Sequence, residues 1–332
     1  MKSLRAVTVS VLLLVAACGS RTGLFGDESQ DPSLTDASSP RPDGPVLVDG
    51  QVPDTSPTVD LDALPPIDAT PPEDVNRTDC PDADGTLVYV VTSENELYAF
   101  YPPDLGFRRI GALACPAPAG TSPFSMAVDR QGAAYVLYTD GALYRVSTLT
   151  AACVPTTYRP GQSSFTTFGM GFAADSTSPT NDRLFVAESG SSGFGVPQPS
   201  RGLARIDTTT FGLTVIGAFN PSLPRAELTG TADGRLFAYW PRGSSASPAG
   251  SIAEIDIRTA QVRARTDVPV GTDSDAFAFA FYGGDFWMFN SGPGDPSTAV
   301  SRYRLADGTT TTPTSFGGRI VGAGVSTCAP AF

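Results

Sequence analysis

The sequence predicts an all-β protein whose main body is a five-bladed β-propeller, and three observations carry this prediction. A strand centred on an aromatic residue recurs at intervals of 46, 50, 52 and 50 residues. A strand of small residues precedes most of the copies, and two further strands follow each of them. Four strands per repeat, at a period of about 40–50 residues, are typical of propeller blades. The central aromatic residues of the five copies are Tyr89, Tyr135, Phe185, Phe237 and Trp287.

The strand of small residues is the expected innermost strand of each blade. The first strands of all blades crowd around one axis, and glycine, alanine and serine let their backbones approach closely. The aromatic residues one strand farther out are expected to fill the wedge between neighbouring blades. The small-residue segments are 124-FSMAV-128, 168-FGMGFAAD-175, 226-AELTGTAD-233 and 277-FAFAF-281.

The first repeat lacks this innermost strand, because 81-PDADGT-86 leads directly into the aromatic strand. A suitable segment, 320-IVGAGVST-327, appears at the other end of the chain. We therefore predict that the C-terminal strand completes the first blade and closes the ring. This closure places Cys80 beside Cys328 and predicts a disulfide between them, which would stabilise the fold by on the order of 4–5 kcal/mol.

The first 18 residues have the pattern of an export signal. Lys2 and Arg5 form a charged start, and Val7–Ala17 is apolar but shorter than the roughly 20 residues that span a bilayer. The following 15-VAAC-18 resembles the lipobox of bacterial lipoproteins, which implies a lipid on Cys18 and attachment to a membrane. The resemblance also implies the outer membrane, on its periplasmic face or at the cell surface, because Gly19 stands where that family carries Asp in proteins held back from it. The alternative is an ordinary secretory signal with a chance cysteine.

An acidic, proline-rich segment follows the signal. Asp27–Asp79 contains 13 acidic residues, 2 basic residues, 10 prolines and no aromatic residue. Such a composition buries too little apolar surface to offset the entropy of the chain. We predict that residues 19–79 form a disordered tether and that the propeller spans 80–332. The alternative for this segment is a pro-peptide.

The cysteine count predicts a second disulfide by elimination. Once Cys18 is set aside, four cysteines remain, and an even count in an exported chain implies disulfides. If Cys80 pairs with Cys328, then Cys115 and Cys153 are left to pair. The repeat alignment places these two near opposite ends of their strands, which argues against the bond.

Over residues 84–328 the repeats resemble the lipid-anchored β-propellers of bacteria, similar in character to the lactonase-like and quinoprotein-like propeller superfamilies. The resemblance implies a fold and no particular activity. The chain has no histidine, so it lacks the residue that many of those enzymes use as a base or metal ligand. We expect no cofactor and no metal, since "DCPDADG" at 79–85 and "GTDSDAF" at 271–277 depart from the EF-hand spacing.

Charge also limits the partners. The net charge is −12, most of it carried by the tether, and no basic stripe is present to bind phosphates. Nucleic acid is therefore excluded as an expected partner. We expect a monomer attached to the membrane through the lipid on Cys18, with an envelope protein or a glycan as ligand.

Two carboxylates are the candidate catalytic residues. Glu227 lies on an innermost strand and Asp275 directly precedes another. Glycoside hydrolysis uses two carboxylates about 5–9.5 Å apart, so this pair could serve a hydrolase or lyase acting on a glycan or lactone. The alternatives are a channel residue satisfied by its neighbours for Glu227 and a turn residue for Asp275.

Three long connections are the candidate binding site. The segments 189–202, 241–250 and 291–299 all follow the aromatic strand, so they should share one face of the ring. Loops on a rigid scaffold favour binding, and aromatic and arginine residues dominate contacts. The leading hypothesis is a non-enzymatic binding module of the cell envelope; the alternatives are the carboxylate enzyme, a structural envelope component, or loops that are merely tolerated insertions. The expected contact residues are Phe194, Arg201, Trp240 and Arg242.

Overall fold

The computed structural model describes residues 60–68, 87–175, 178–190, 200–244, 247–270 and 274–330. These residues contain two short 3-10 helices and twenty strands, and none of the helices among them is long and apolar enough to cross a membrane. The helices are Leu61–Ala63 and Gln162–Ser164. The strands are β1 (Val88–Thr92), β2 (Glu96–Tyr101), β3 (Gly106–Ala112), β4 (Pro123–Val128), β5 (Ala133–Tyr138), β6 (Leu143–Ser147), β7 (Cys153–Pro155), β8 (Phe168–Asp175), β9 (Ser178–Glu188), β10 (Leu203–Ile206), β11 (Leu213–Gly217), β12 (Glu227–Gly230), β13 (Leu236–Ser244), β14 (Ser247–Ile255), β15 (Val262–Val268), β16 (Ala276–Tyr282), β17 (Asp285–Ser291), β18 (Thr298–Arg304), β19 (Thr310–Phe316) and β20 (Ile320–Val325).

The strands form five separate four-stranded antiparallel sheets, which are the blades of a propeller. From the channel outward, blade one is β20-β1-β2-β3 and blade two is β4-β5-β6-β7. Blades three, four and five follow in chain order as β8 to β11, β12 to β15 and β16 to β19. Each innermost strand contacts the next around the ring, so the predicted five-bladed propeller is confirmed.

The innermost strands are packed so closely that a side chain between them would not fit. A Cβ atom added to Gly169 of β8 would lie 2.0 Å from the carbonyl oxygen of Ala226, directly before β12. One added to Gly171 would lie 2.8 Å from the backbone of Leu228. The small residues are therefore required by the close approach of blades three and four. We call the side where innermost strands begin the front face and the side where they end the back face.

Aromatic residues fill the wedges between blades, as the repeats predict. The Tyr135 ring of blade two lies 5.5 Å from that of Phe172 in blade three. The Trp287 ring of blade five lies 5.3 Å from that of Phe100 in blade one. Neighbouring blades are close together at the axis and farther apart outside it. Small residues therefore fit near the channel, and large aromatic side chains fill the wider gaps farther out.

The C-terminal strand closes the ring. β20 pairs antiparallel with β1, with Val325 opposite Val88 and Gly324 opposite Tyr89. Cys328 follows this strand and is 2% exposed. Its predicted partner Cys80 lies outside the described residues, as does the predicted lipid-bearing Cys18, so both assignments stay predictions.

The disulfide expected by elimination is present, between Cys115 and Cys153, with 5.0 Å between their Cα atoms. Cys115 follows β3 of blade one and Cys153 begins β7 of blade two, so the bond joins the outer edges of two blades. The alignment argument against it was wrong because the end of β3 in blade one lies against the turn between β6 and β7 in blade two. Near the bond, Gly111 of blade one lies against Ala151 of blade two.

The end of the predicted tether is folded against the propeller. Residues 60–68, which we call the rim strap, lie along β15 at the outer edge of blade four. The Arg265 amide donates to the Pro65 carbonyl at 2.8 Å, and the Ile67 amide donates to Thr266 Oγ1 at 3.1 Å. The prediction of disorder throughout 19–79 is therefore wrong for the rim strap. Its apolar side chains, which pack on the core, are Leu61, Leu64 and Ile67.

Candidate binding site at the front face

Glu227 lies at the channel wall, at the start of β12. Only 1% of it is exposed, and a 2.6 Å hydrogen bond joins its Oε2 to Ser125 Oγ of blade two. Burial raises the pKa of the Glu227 carboxyl to about 8, although Ser125, Arg225 and the backbone of Met170 favour the charged form. The carboxyl is therefore mainly neutral at pH 7.

Arg225 lies across the mouth of the channel. Its guanidinium carbon lies 4.8 Å from the ring centre of Phe124 in blade two and 4.6 Å from that of Phe277 in blade five. Both rings offer their electron-rich faces to the cation, which holds the guanidinium in place. Its Nη1 also donates to the carbonyl of Asp275 at 3.4 Å. The residue is partly exposed at the front face, so it can contact a ligand from solvent.

Asp275 has a different environment from that of Glu227. Its carboxylate pairs with Arg319, and 54% of its side chain is exposed. Arg319 is held in turn by the carbonyls of Gly292 at 2.9 Å and Asp295 at 3.0 Å. The structure thus places both candidate carboxylates near the front mouth, one buried beneath Arg225 and the other in an ion pair beside it.

The three long connections share the front face, as expected, because β9, β13 and β17 all end there. Their conformations differ. The ends of 189–202 are joined by Glu188, whose Oε2 accepts from the amides of Gly190 at 2.8 Å and Arg201 at 3.0 Å. The segment 241–250, expected to be a loop, instead extends β13 and β14 as a hairpin, with Arg242 opposite Ala249.

The four predicted contact residues have different outcomes. Phe194 lies outside the described residues, and Arg201 is exposed on the front face. Trp240 is not a surface contact, since it is 4% exposed and packs in the core between blades three and four. Alternation along β13 turns its side chain inward. Arg242 is exposed and pairs with Asp267.

The back end of the channel is closed by the protein's own polar groups. Arg130 of blade two lies 3.7 Å from a carboxylate oxygen of Asp182 in blade three. Thr327, which follows β20 of blade one, lies 2.8 Å from both oxygens of Asp182. Burial raises the pKa of Asp182 to about 6. These side chains pair with one another by an ion pair and hydrogen bonds, so the back end of the channel, unlike the front mouth, has its polar groups paired within the protein.

A cavity of about 570 Å³ also opens between blades one and two. Its wall includes Arg130, Arg145, Leu149 and Val154. None of the predicted binding or catalytic residues lines it. In the part of the chain that the structure describes, none of its side chains carries a buried polar atom without a partner. We therefore place the candidate site at the front mouth.

No group of three or more Cys, Asp or Glu side chains among the described residues is arranged to hold a metal ion. Asp129, Asp207 and Asp256 each accept hydrogen bonds from backbone amides two to four residues ahead, which is ordinary turn chemistry. The acidic segment 79–85 and residues 271–273 lie outside the described ranges.

Comparison with known proteins finds similar folds at low identity. No family model matches the sequence, and no curated protein matches it. A solved nidogen/laminin complex contains a chain with a TM-score of 0.44 and 12% identity, covering 74% of this chain and 100% of its own. TolB from Acinetobacter baumannii has a TM-score of 0.39 and 15% identity, covering 71% of this chain and 55% of its own.

A protein of unknown function from Bacteroides caccae has a TM-score of 0.37 and 12% identity, covering 73% of this chain and 87% of its own. With identities this low and TM-scores below 0.5, none of these similarities supports a conclusion about activity or partner. The fold assignment rests on the strand topology of this chain.

Proposed function

We propose that this protein is an exported, lipid-anchored binding protein of the cell envelope whose ligand contacts the front face of the propeller. The observation that carries the proposal is the front mouth. There Arg225 lies between two aromatic rings from other blades, partly open to solvent, on the face where β9, β13 and β17 end. A rigid ring with such a site at one end is suited to recognition.

The positions of the carboxylates favour binding over hydrolysis. A glycosidase needs two carboxyl groups that both reach the scissile bond. Glu227 is 1% exposed and hydrogen-bonded to Ser125, so a substrate oxygen does not reach it in this arrangement. Asp275 is occupied by Arg319. The enzyme alternative therefore has less support than the binding proposal.

The lipid anchor rests on the sequence 15-VAAC-18. We expect a labelled fatty acid, fed to cells that express the protein, to be incorporated into it and to be lost in Cys18→Ala. Protease treatment of intact cells then distinguishes the cell surface from the periplasmic face. A protein that is released into the medium without label would contradict the anchor.

The binding proposal is tested by blocking one face at a time. Ser297→Cys and Ala306→Cys each place a thiol in an exposed turn of blade five, the first at the front face and the second at the back. Each purified variant is coupled to a polyethylene glycol maleimide and then exposed to envelope extract and to a panel of glycans.

We expect the bulky group at position 297 to abolish ligand capture and the same group at 306 to leave it unchanged. Equal loss with both variants, or loss only with the back-face variant, would contradict the proposal. Turnover of a glycan by the unmodified protein would favour the enzyme alternative.

A further inference from the structure

Buried donors without partners concentrate at the front face. In the described part of the chain, seven buried side-chain polar atoms have no hydrogen-bond partner. Four of them lie at the front ends of strands or directly beside them. Since buried polar groups in folded proteins are nearly always satisfied, unpartnered donors on one face of the ring indicate that something else supplies their acceptors. The four atoms are Ser189 Oγ, Arg225 Nε, Ser274 Oγ and Asn290 Nδ2.

The guanidinium of Arg225 is oriented to use its edge. The rings of Phe124 and Phe277 lie over it at 4.8 and 4.6 Å, so its faces are covered. Nη1 donates to the Asp275 carbonyl, whereas Nε has no partner. Nε is therefore a buried donor with no acceptor among the described residues, and it belongs to a planar edge of the kind that pairs with a carboxylate through two parallel hydrogen bonds.

The charge balance around Arg225 also favours an anion. The carboxylate of Asp275 is paired with Arg319. Burial raises the pKa of Glu227 to about 8, so this neighbour is mainly neutral at pH 7. Among the described residues Arg225 forms no ion pair, although the charges of Asp275 and Glu227 act on it, and burying a cation without a paired counter-ion is costly.

We infer that the front mouth binds the carboxylate group of a ligand, with the Nε edge of Arg225 as its anchor and Phe124 and Phe277 fixing the guanidinium. Ser274 directly precedes Asp275, and Asn290 lies opposite Phe277 in the pairing of β16 with β17, so each adds a buried donor without a partner at the front end of blade five. This inference rests on the proposed function and names the chemical class that the site takes. Acidic sugars and peptide C-termini both carry such a carboxylate.

The test measures binding of defined carboxylates to the purified full-length protein by calorimetry and by thermal shift, at constant ionic strength and pH 7. The probes are galacturonate against galactose, and an acetylated dipeptide acid against its amide. Inorganic phosphate is a third arm. We expect galacturonate or the peptide acid to bind while its neutral counterpart does not, and the arm that responds identifies the source of the carboxylate.

Variants assign the binding to Arg225. We expect Arg225→Gln to weaken carboxylate binding by about tenfold or more, as for loss of a charge-assisted bidentate pair. Arg225→Lys, which keeps the charge but not the planar edge, should recover only part of it. Arg108→Gln, an exposed arginine on the outer strand β3, is the matched control and should bind like the wild type.

Carboxylate binding by the wild type, measured over a pH series, gives an independent readout that does not require Arg225→Gln to fold. The groups that face Glu227 are the Ser125 hydroxyl from blade two, the Met170 backbone from blade three and Arg225 itself, and Asp275 is a second carboxyl whose charge acts on Arg225. Above about pH 8 the ionised Glu227 competes for Arg225, so carboxylate binding should weaken. Glu227→Gln should keep the affinity unchanged from pH 7 to 9.

Two results would overturn the inference. The first is that no carboxylate binds, or that phosphate binds and carboxylates do not. The second is that carboxylates bind equally well to the wild type and to Arg225→Gln. Because the face-blocking experiment uses positions 297 and 306, the front face can still be shown to capture a ligand when the carboxylate inference fails.

Discussion

At the scale of single residues, the channel holds two buried carboxyl groups at opposite ends. Glu227 lies at the front and Asp182 at the back, with pKa values raised to about 8 and about 6. Burial is the largest cause in both. In both cases neighbours partly offset burial: Thr327 and Arg130 favour the charged form of Asp182, and Ser125 and Arg225 favour that of Glu227.

The raised pKa of Glu227 predicts a pH dependence of stability. The unfolded chain loses this proton near pH 4.5, whereas the folded protein keeps it until about pH 8. Stability from this residue is therefore fully present below pH 4.5 and is lost as the pH rises to 8. A difference of one pH unit between the folded-state and unfolded-state pKa corresponds to about 1.4 kcal/mol, so the free energy of unfolding falls by a few kcal/mol over this range.

We expect Glu227→Gln to remove this loss. In urea unfolding, the variant should gain stability relative to the wild type between pH 5 and 8, with no further gain above pH 8. Glu96→Gln is the control, because Arg109 lowers the pKa of Glu96, so its contribution changes only below about pH 5 and the difference from wild type should be constant between pH 5 and 8. A constant difference between Glu227→Gln and wild type across this range would contradict the role of burial described for Glu227.

Sequence reasoning placed Glu227 on the channel wall because the residue belongs to a recognisable innermost strand. It did not find Arg225, Phe124 and Phe277 as a unit. These three residues come from blades four, two and five, and their contact depends on how far each side chain reaches across the mouth. The usable signal was positional, since each lies within two residues of the start of an innermost strand.

At the scale of elements, the repeat period was sufficient to order the strands within each blade. It did not show that 241–250 continues two strands as a hairpin, because this segment is rich in glycine, serine and proline. The rim strap was missed for the opposite reason. Composition averaged over the acidic segment concealed the regular spacing of Leu61, Leu64 and Ile67, which packs them on blade four.

The rim strap predicts a measurable contribution to stability. Ile67 is 6% exposed and packs in the core of blades four and five. Ile67→Ala should lower the free energy of unfolding by about 2 kcal/mol, which is the lower end of the range for truncating a buried isoleucine to alanine. Val215→Ala is the matched control, since Val215 is 46% exposed, and should change it by less than about 0.5 kcal/mol. Equal effects would show that the strap is not docked in solution.

The Cys115–Cys153 bond predicts a further stability difference. It closes a separation of 38 residues, for which loop entropy gives about 4 kcal/mol. The double variant Cys115→Ala, Cys153→Ala should therefore unfold at a clearly lower urea concentration than the wild type. Added reductant should lower the urea midpoint of the wild type by breaking this bond. The variant lacks the bond, so its midpoint should not fall for this reason. An unchanged midpoint in the double variant would contradict the role assigned to the bond.

At the scale of the whole molecule, closure of the ring depends on the close approach of β20 to β4. A Cβ atom on Gly324 would lie 2.9 Å from the backbone of Ala127 and Val128. Gly324→Val should therefore destabilise the protein by about 2–3 kcal/mol through overpacking.

Gly317→Val is the control for this substitution, because a Cβ atom there meets nothing within 4 Å. Thermal unfolding should show a large decrease for position 324 and little change for 317. Similar melting temperatures for the two variants would mean that β20 does not close the ring as described.

The rim strap also decides where mechanical force enters the protein. A pull applied on the N-terminal side of Asp60 acts first on the contacts of the strap with Arg265 and Thr266 at the edge of blade four. Detaching the nine residues of the strap adds roughly 30 Å of extended chain. The pairing of β1 with β20, which includes Val88 and Val325, therefore bears no force until that added length is extended. A protein held to a moving surface by its N-terminal segment would thus yield at its edge while its ring remains intact.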